Sequence, residues 1–256
     1  MIESIIVWCS NLFQGHVTHP LAWFAGIPIF AALLGTMIGT YRRIGPKGHS
    51  HLQHLAAGII FSVVSVEILP DVIHRQRPLL LTIGFSTGVA FMMILEKISG
   101  WIEGHEGKKG IPYTLLVGVG VDLFLDGLIL ALTLHALESA GRLLSLALAI
   151  ELLTVGLTLS GTLRKRGIGR KLMFFLNAVV FSSLLLGAFI GGSVFPSLPE
   201  QTLDLVLSFG LAALLFLVTE ELLVEPHREV DAPLSTVFFF AGFLAFLLLG
   251  QMHGNA

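Results

Sequence analysis

Two acidic residues interrupt the apolar segment Val121-Asp122-Leu123-Phe124-Leu125-Asp126-Gly127-Leu128. The segment belongs to a stretch from Pro112 to Leu137 that contains no lysine or arginine. This stretch is long enough to cross a bilayer as a helix, which takes about 20 residues. On such a helix Asp122 and Asp126 share one face, about one turn apart. An acid at the bilayer centre costs at least ~2.5 kcal/mol and usually faces a bundle interior or a watery pathway. The segment therefore predicts a membrane span with a polar site inside it.

Similar apolar stretches lie on both sides of this segment. Of the 256 residues, 54% are hydrophobic and 12% are charged, whereas a soluble domain carries roughly 25% charged residues. The mean hydropathy is +0.86. The predicted spans, numbered 1 to 8, are Leu21–Tyr41, His54–Ile73, Leu79–Ile98, Pro112–Leu137, Leu143–Leu163, Leu172–Phe195, Leu203–Val224 and Leu234–Gln251. Since the connectors are short, we predict an all-α, polytopic membrane helix bundle of eight spans, forming a single integral membrane domain over residues 1–256.

The basic residues predict the orientation of the spans, because cytoplasmic loops accumulate lysine and arginine. If span 1 runs inward, Arg75, Arg77 and Arg142 are external and the rest of the 15 basic residues are cytoplasmic. We therefore expect a protein of the plasma (inner) membrane with both termini outside the cytoplasm. The near balance of 15 basic and 17 acidic residues predicts no nucleic-acid partner. The single cysteine, Cys9, excludes a disulfide or a thiolate metal cluster within one chain.

Further acids lie within other spans. Glu151 is near the middle of span 5, Glu67 is in the outer half of span 2, and Glu221 is in the inner half of span 7. Each of them, taken alone, can be read as a protonated structural carboxylate hydrogen-bonded between helices. No lysine or arginine lies at mid-membrane to pair with Asp122, Asp126 and Glu151. Either protons or a metal ion must therefore supply the positive charge.

Two internal similarities predict an inverted repeat. The span 4 segment quoted above resembles Ile150-Glu151-Leu152-Leu153-Thr154-Val155-Gly156-Leu157 in span 5, with acid and glycine at the same spacing. Ser65-Val66-Glu67-Ile68-Leu69-Pro70-Asp71 in span 2 resembles Thr219-Glu220-Glu221-Leu222-Leu223-Val224-Glu225 in span 7, which crosses in the opposite direction. This predicts that spans 1–3 repeat as spans 6–8 around a central pair, spans 4 and 5. Transporter repeats of this kind place the site near the midplane and permit alternating access.

At these residues the chain resembles the ZIP (Zrt/Irt-like) family of divalent metal transporters, and the resemblance extends over all eight spans. Residues Thr219 to His227 are similar to the family's acid-Glu-hydrophobic-hydrophobic-Pro-Glu-x-His ending, and Ala56 to Asp71 to its second span. The family's His-Asn-x-Pro-acid-Gly pattern maps onto Asp122–Gly127. Its His-acid-x-Pro-Glu-Gly pattern maps onto Glu151–Gly156.

The chain departs from the family at several ligand positions. Leu123, Leu152 and Val155 stand where relatives hold ligands of two neighbouring metals, so the resemblance implies a divergent member with one site. Asp122 and Glu151 stand where relatives often have histidine. The metal site implied by the resemblance consists of Asp122, Asp126 and Glu151, with Glu67 above and Glu221 below.

An all-oxygen site suits hard or borderline ions such as Mn²⁺, Mg²⁺ or Fe²⁺, and Zn²⁺ and Cd²⁺ also accept carboxylates. We expect such an ion as the transported substrate, with no organic cofactor. Metal binding should displace protons from the buried acids, so uptake should depend on pH. The expected outer mouth is formed by Asp71, His74, His135 and Glu138, and the expected exit by Glu221, Glu225 and His227. A cytoplasmic cluster of His49, His51 and His54 is expected either to catch released metal or to serve as a polar helix start.

Other functions are less consistent with the sequence. Intramembrane aspartyl proteases carry Gly-x-Gly-Asp, whereas Gly118-Val119-Gly120-Val121-Asp122 is one residue out of register, and no His-Glu-x-x-His is present. We therefore expect no enzyme. The stronger alternative is a proton-coupled or non-transporting ZIP-like membrane protein with a degenerate metal site. Gly84 and Gly88, four residues apart, leave a homodimer through span 3 open.

Overall fold

The computed structural model describes residues 18–42, 46–103, 110–224 and 233–254, and the regular structure of these residues is entirely helical. We number the main helices α1 to α8. A π-helical segment, Val64–Ile68, joins the two parts of α2, and a second, Leu217–Val224, continues α7. The helices are α1 Thr18–Tyr41, α2 Pro46–Val63 and Leu69–His74, α3 Pro78–Glu103, α4 Tyr113–Ala136, α5 Glu138–Lys165, α6 Arg170–Val194, α7 Glu200–Phe216 and α8 Pro233–Gly254.

Seven helices are long and apolar enough to cross a membrane. They are Leu21–Tyr41, Ser50–His74, Pro78–Ile98, Tyr113–Ala136, Glu138–Lys165, Arg170–Ser197 and Glu200–Glu220. Each overlaps one of the predicted spans 1 to 7, whose bounds differ by a few residues. Helix α8 contributes a shorter apolar segment, Leu234–Gly250. The predicted all-α membrane bundle is confirmed for the described residues, and the eighth crossing stays a prediction.

The outer surface of the bundle is apolar, as it must be where a helix faces lipid. Trp23 is 78% exposed, Leu79 72% and Phe240 61%. A water-soluble helix would carry polar residues on its exposed face, and hydrocarbon solvates these side chains instead. The exposed apolar surface and the helix lengths together identify an integral membrane protein.

Glycines bring the helices into close contact in pairs. Gly35 and Gly39 of α1 lie against α5, and Gly187 and Gly191 of α6 lie against α4. Without a hydrophobic driving force in lipid, small residues allow the backbones to approach closely enough for van der Waals contact. Helix α2 packs in the same way on α8, and α3 on α7. Helices α4 and α5 contact each other as well, and this places both of them at the centre of the bundle.

The predicted homodimer surface is used inside the chain. A Cβ on Gly84 would collide with the carbonyl oxygen of Leu205, and one on Gly88 would lie 2.8 Å from the carbonyl oxygen of Phe209. Both contacted residues belong to α7. The four-residue spacing therefore indicates a helix contact, as expected, but the partner is α7 of the same chain.

Ion pairs join the α2–α3 connector to the start of α7. Asp204 is 5% exposed and lies 2.6 Å from Arg75 and 2.9 Å from Arg77. The contact with Arg77 is an ion pair without hydrogen-bond geometry. Arg75 also donates from Nε to Asp71 Oδ2 at 2.6 Å. This end of the bundle is the predicted external side, and the cluster of charges holds α2, α3 and α7 together there.

Candidate metal centre

Three carboxylates from the two central helices converge. Asp122 and Asp126 of α4 and Glu151 of α5 each offer one oxygen, and these oxygens lie within 4.8 Å of one another. A cation placed between them would lie no more than about 2.8 Å from each oxygen, and small side-chain movements would bring these distances to the roughly 2.0 to 2.2 Å at which carboxylates bind Mn²⁺, Zn²⁺ or Mg²⁺. The structure thus brings together the three residues that the sequence singles out as the centre of the site.

The local helix geometry accounts for this arrangement. Asp122 and Asp126 are one helical turn apart, so both project from the same side of α4. A Cβ on Gly127, the next residue, would collide with the carbonyl oxygen of Leu184 on α6. A Cβ on Gly156 of α5 would likewise collide with the carbonyl oxygen of Ala32 on α1. Because each glycine packs against an outer helix, the two acidic faces of α4 and α5 can turn toward each other.

The three acids differ in burial. Asp126 is 3% exposed and Glu151 is 2% exposed, whereas Asp122 is half-buried. The site therefore has a closed side formed by Asp126 and Glu151 and an open side at Asp122. This difference was not predictable from the sequence, in which the two aspartates occupy equivalent places on one helix face.

The buried carboxylate of Glu151 lacks a full set of partners. Its Oε2 atom has no hydrogen-bond partner among the described residues. A buried carboxylate oxygen left unsatisfied costs several kcal/mol, and structures normally provide a donor or a cation. The chain has no lysine or arginine between Lys109 and Arg142 or between Arg142 and Arg164 to serve as a counter-charge from α4 or α5. The Oε2 atom of Glu151 is thus a buried acceptor without a hydrogen-bond donor among the described residues.

The apolar residues next to the acids are part of the hydrophobic core. Leu123 and Leu152 are both fully buried. Thr154 and Thr158 donate their hydroxyls to backbone carbonyls one turn back on α5. The described ligand set at this depth is therefore the three carboxylates, with apolar side chains on the adjacent positions.

Glu67 lies apart from the cluster. It is in the π-helical segment of α2, and its Oε2 accepts a hydrogen bond of 3.1 Å from Ser139 at the start of α5. Ser139 is more than three helical turns along α5 from Glu151, a distance of about 18 Å at 1.5 Å per residue. Glu67 therefore lies apart from the three carboxylates, at the end of the bundle that is predicted to be external.

The residues expected at the outer mouth are spread over that end. Asp71 is paired with Arg75, His74 is exposed and bonds through Nδ1 to the carbonyl of Pro70 at 2.7 Å, and His135 is exposed at the end of α4. Glu138 is 73% exposed and 4.0 Å from Arg142. They form no described metal-binding group.

The histidines before span 2 have structural contacts. His51 lies 3.2 Å from the Ser235 hydroxyl and stacks on Phe238 of α8, and His54 is buried with Nδ1 2.8 Å from the carbonyl of Ser50. These contacts favour a role in packing α2 on α8. The side chains of His49 and Glu221 lie outside the described residues, as do Glu225 and His227 entirely.

Sequence reasoning missed two features of the site region. One is the pair Arg75 and Arg77 with Asp204, which only became recognisable when α7 was placed beside the α2–α3 connector. The other is Glu96 of α3, an acid in the inner half of a predicted span that faces the same cavity as Asp122. Its position within the span was the available signal.

Comparison of the chain with protein-family models and with curated proteins finds no match.

Proposed function

We propose that this protein moves a divalent metal ion across the membrane and binds it at the carboxylates of Asp122, Asp126 and Glu151. The observation that carries the proposal is the convergence of these three acids, two of them nine-tenths or more buried, on oxygens within 4.8 Å of one another. Helix α4 contains no lysine or arginine, and those of α5 lie near its two ends. Neither helix therefore supplies a counter-charge at the depth of the three acids. A doubly positive ion would supply the counter-charge that these two helices do not.

The electrostatic argument favours a cation strongly. At a separation near 5 Å, two unit charges interact with about 3 kcal/mol at an effective dielectric constant of about 20. Three ionised carboxylates therefore repel one another in three pairs, and a central divalent cation replaces these with stronger attractions. In its absence, protons must neutralise part of the cluster. Metal and protons hence compete for the same oxygens, and we expect uptake to fall as the pH is lowered.

The proposed ion is of the Mn²⁺, Fe²⁺, Zn²⁺ or Cd²⁺ class, bound singly. Carboxylate oxygens favour the harder members of this class, while zinc and cadmium tolerate them. A second ion beside the first would need ligands where the buried side chains of Leu123 and Leu152 stand. A mononuclear site in a divergent member of the ZIP family agrees with both the packing and the resemblance stated above.

An inverted repeat agrees with the helix contacts. Gly35 contacts Leu153 and Gly187 contacts Phe124, while Gly39 contacts Leu157 and Gly191 contacts Ala131. Gly35 and Gly39, which pack α1 on α5, thus have counterparts in Gly187 and Gly191, which pack α6 on α4 and follow them at the same separation in sequence. The two π-helical segments likewise occupy corresponding positions, in α2 and α7. Since π-helical segments are frequent at functional sites, we include the repeat of spans 1–3 and 6–8, and alternating access around α4 and α5, in the proposal.

The proposed orientation follows from the basic residues. With both termini outside the cytoplasm, the ends of α1, α3 and α5 and the starts of α2, α4 and α6 are cytoplasmic. The ion pairs of Arg75 and Arg77 then lie on the external side, in the plasma (inner) membrane.

The experiment that tests the proposal measures Mn²⁺, Zn²⁺ and Cd²⁺ uptake into proteoliposomes that contain purified protein and a metal-sensitive dye. Asp126→Asn keeps the volume of the side chain and removes its charge. We expect this variant to lower the initial rate at least tenfold, because a ligand within the buried cluster is lost. Glu200→Gln serves as the matched control, since Glu200 is 75% exposed at the end of α7, and we expect it to retain the rate of the unmodified protein.

Equal metal flux through unmodified protein and Asp126→Asn would contradict metal transport at this cluster. Absence of metal flux in both, together with proton flux that depends on Asp126, would favour the proton-coupled alternative. The two readings are therefore separated by adding a pH-sensitive dye to the same vesicles.

A further inference from the structure

A cavity of about 440 Å³ lies between α3 and α4. Its wall includes Leu95, Glu96 and Ile98 from the last turns of α3, and Tyr113, Val117 and Asp122 from the first half of α4. Among the described residues of this wall, Glu96 and Asp122 are the acids. The cavity thus reaches from the helix ends beside the α3–α4 connector to the half-buried member of the carboxylate cluster.

Toward the opposite end of the bundle the cluster is closed by packed side chains. On α4, Gly127 and the residues from Ile129 to Thr133 are buried. On α5 the residues that precede Glu151 include Leu144, Ala147 and Leu148, all fully buried. The described structure therefore opens the cluster through Asp122, on the side of the α3–α4 connector.

We infer that the metal ion passes between the cytoplasm and the carboxylate cluster through the cavity between α3 and α4, and that Glu96 binds the ion at the mouth of this cavity. The inference rests on the proposed function and on the proposed orientation, in which the α3–α4 connector is cytoplasmic. It adds a route and a ligand that differ from the exit past Glu221, Glu225 and His227 expected from the sequence.

The wall is mostly apolar, with polar side chains near the mouth and Asp122 at the inner end. Glu96 is exposed, and the hydroxyls of Tyr113 and Thr114 lie on the same wall. These oxygens can bind a partly hydrated divalent cation at the mouth, since such ions take carboxylates, hydroxyls and water together. Deeper in the cavity Val117, Val121 and Leu95 leave Asp122 as the next available ligand. An ion therefore moves from one carboxylate to the next, with apolar wall between them.

The test is the reaction of introduced cysteines with a charged, membrane-impermeant methanethiosulfonate reagent. Cys9 is the single native cysteine, so Cys9→Ser provides a background without thiols. Val121→Cys places a thiol on the cavity wall. Val179→Cys is the matched control, because Val179 is 52% exposed on α6, outside the cavity wall and at a similar depth from the same end of the bundle. A thiol facing lipid stays un-ionised and reacts very slowly.

We expect Val121→Cys to react at least tenfold faster than Val179→Cys in inverted membrane vesicles, where the cytoplasmic face is accessible. Modification should block Mn²⁺ transport. Val117→Cys, which lies closer to the mouth, should behave in the same way and replaces Val121→Cys if that variant does not fold. Equal slow rates at the cavity and control positions, or reaction only in right-side-out vesicles, would overturn the proposed route.

Glu96 is tested by Glu96→Gln, with Mn²⁺ as the probe. We expect the transport rate at low Mn²⁺ to fall threefold to tenfold, and the thermal stabilisation of the protein by Mn²⁺ to be retained, because the cluster itself is intact. Glu96→Asp should restore most of the rate. An unchanged rate in Glu96→Gln overturns its role as a ligand. If Mn²⁺ stabilises the protein but the cavity cysteines are unreactive, the route is wrong and the proposed function stands. If Mn²⁺ neither stabilises the protein nor is transported, both are wrong.

Discussion

At the scale of single residues, the three carboxylates differ in burial and in hydrogen bonding. Asp122 is half-buried on the cavity wall, whereas Glu151 is almost completely buried and has an oxygen without a hydrogen-bond partner among the described residues. Removing water from a charged group is costly unless a counter-charge replaces it. In the absence of metal, Glu151 should therefore reduce the stability of the fold.

Glu151→Gln tests this trade between stability and binding. The amide keeps the shape of the side chain and removes the charge, so we expect a higher melting temperature than that of the unmodified protein in metal-free detergent solution. Saturating Mn²⁺ at about 100 times Kd should stabilise the unmodified protein by about 2.7 kcal/mol, and Glu151→Gln should lose most of this gain. Thermal unfolding with and without Mn²⁺ measures both effects. A variant that is less stable without metal and equally stabilised by Mn²⁺ would show that Glu151 has a purely structural role.

At the scale of the helices, glycine contacts fix the positions of α4 and α5. Gly127 and Gly156 follow the acids at the same spacing, and each packs on a backbone carbonyl of a neighbouring helix. Gly120, one residue from Val121 on the same helix, has nothing within 4 Å of the place where a Cβ would be. Gly120 and Gly127 therefore have different structural roles.

Gly127→Ala and Gly120→Ala form a matched pair of variants. Alanine is a better helix former than glycine by roughly 0.5 to 1 kcal/mol, so Gly120→Ala should be neutral or slightly stabilising. Gly127→Ala must push α4 away from Leu184, and overpacking of this kind costs about 1 to 3 kcal/mol. Melting temperatures in detergent compare the two. Equal stabilities would mean that α4 and α6 can separate without loss, and the close contact would then not position Asp126.

The ion pairs at the start of α7 give a second prediction at the scale of the helices. Asp204→Ala leaves Arg75 with Asp71 and deprives Arg77 of its nearest carboxylate. The arginine side chains are 24% and 35% exposed, so solvent screening reduces the loss to about 1 to 3 kcal/mol, below that for a fully buried pair.

Thermal unfolding at low and high salt measures this loss, which should shrink as the salt concentration rises. Glu200→Ala is the control, because its carboxylate is 75% exposed and 3.7 Å from Arg77, and it should change the melting temperature little. An Asp204→Ala variant as stable as the unmodified protein would show that the α2–α3 connector and α7 are held together by apolar packing alone.

At the scale of the whole molecule, the distribution of basic residues predicts an external N-terminus and C-terminus. Arg42 and Lys165 flank connectors on the opposite side of the bundle from Arg75 and Arg77. We expect alkaline phosphatase fused after α8 to be active, and green fluorescent protein at the same place to be dark, because each reporter folds productively on only one side of the inner membrane. A fluorescent C-terminal fusion would reverse the orientation and would place the α3–α4 cavity on the external side.

The apolar stretches determined the helices, because a chain in hydrocarbon must satisfy its backbone within each span. For the same reason the spacing of Asp122 and Asp126 was enough to place both on one face. Which acids meet was set by the packing of separate helices, and local spacing carries no information about it. Glu151 joins the cluster because α5 packs beside α4, while Glu67 stays with Ser139 at the outer end. The partial burial of Asp122 and the cavity beside Glu96 also depend on the gap between α3 and α4. The sequence of either helix alone does not determine this gap.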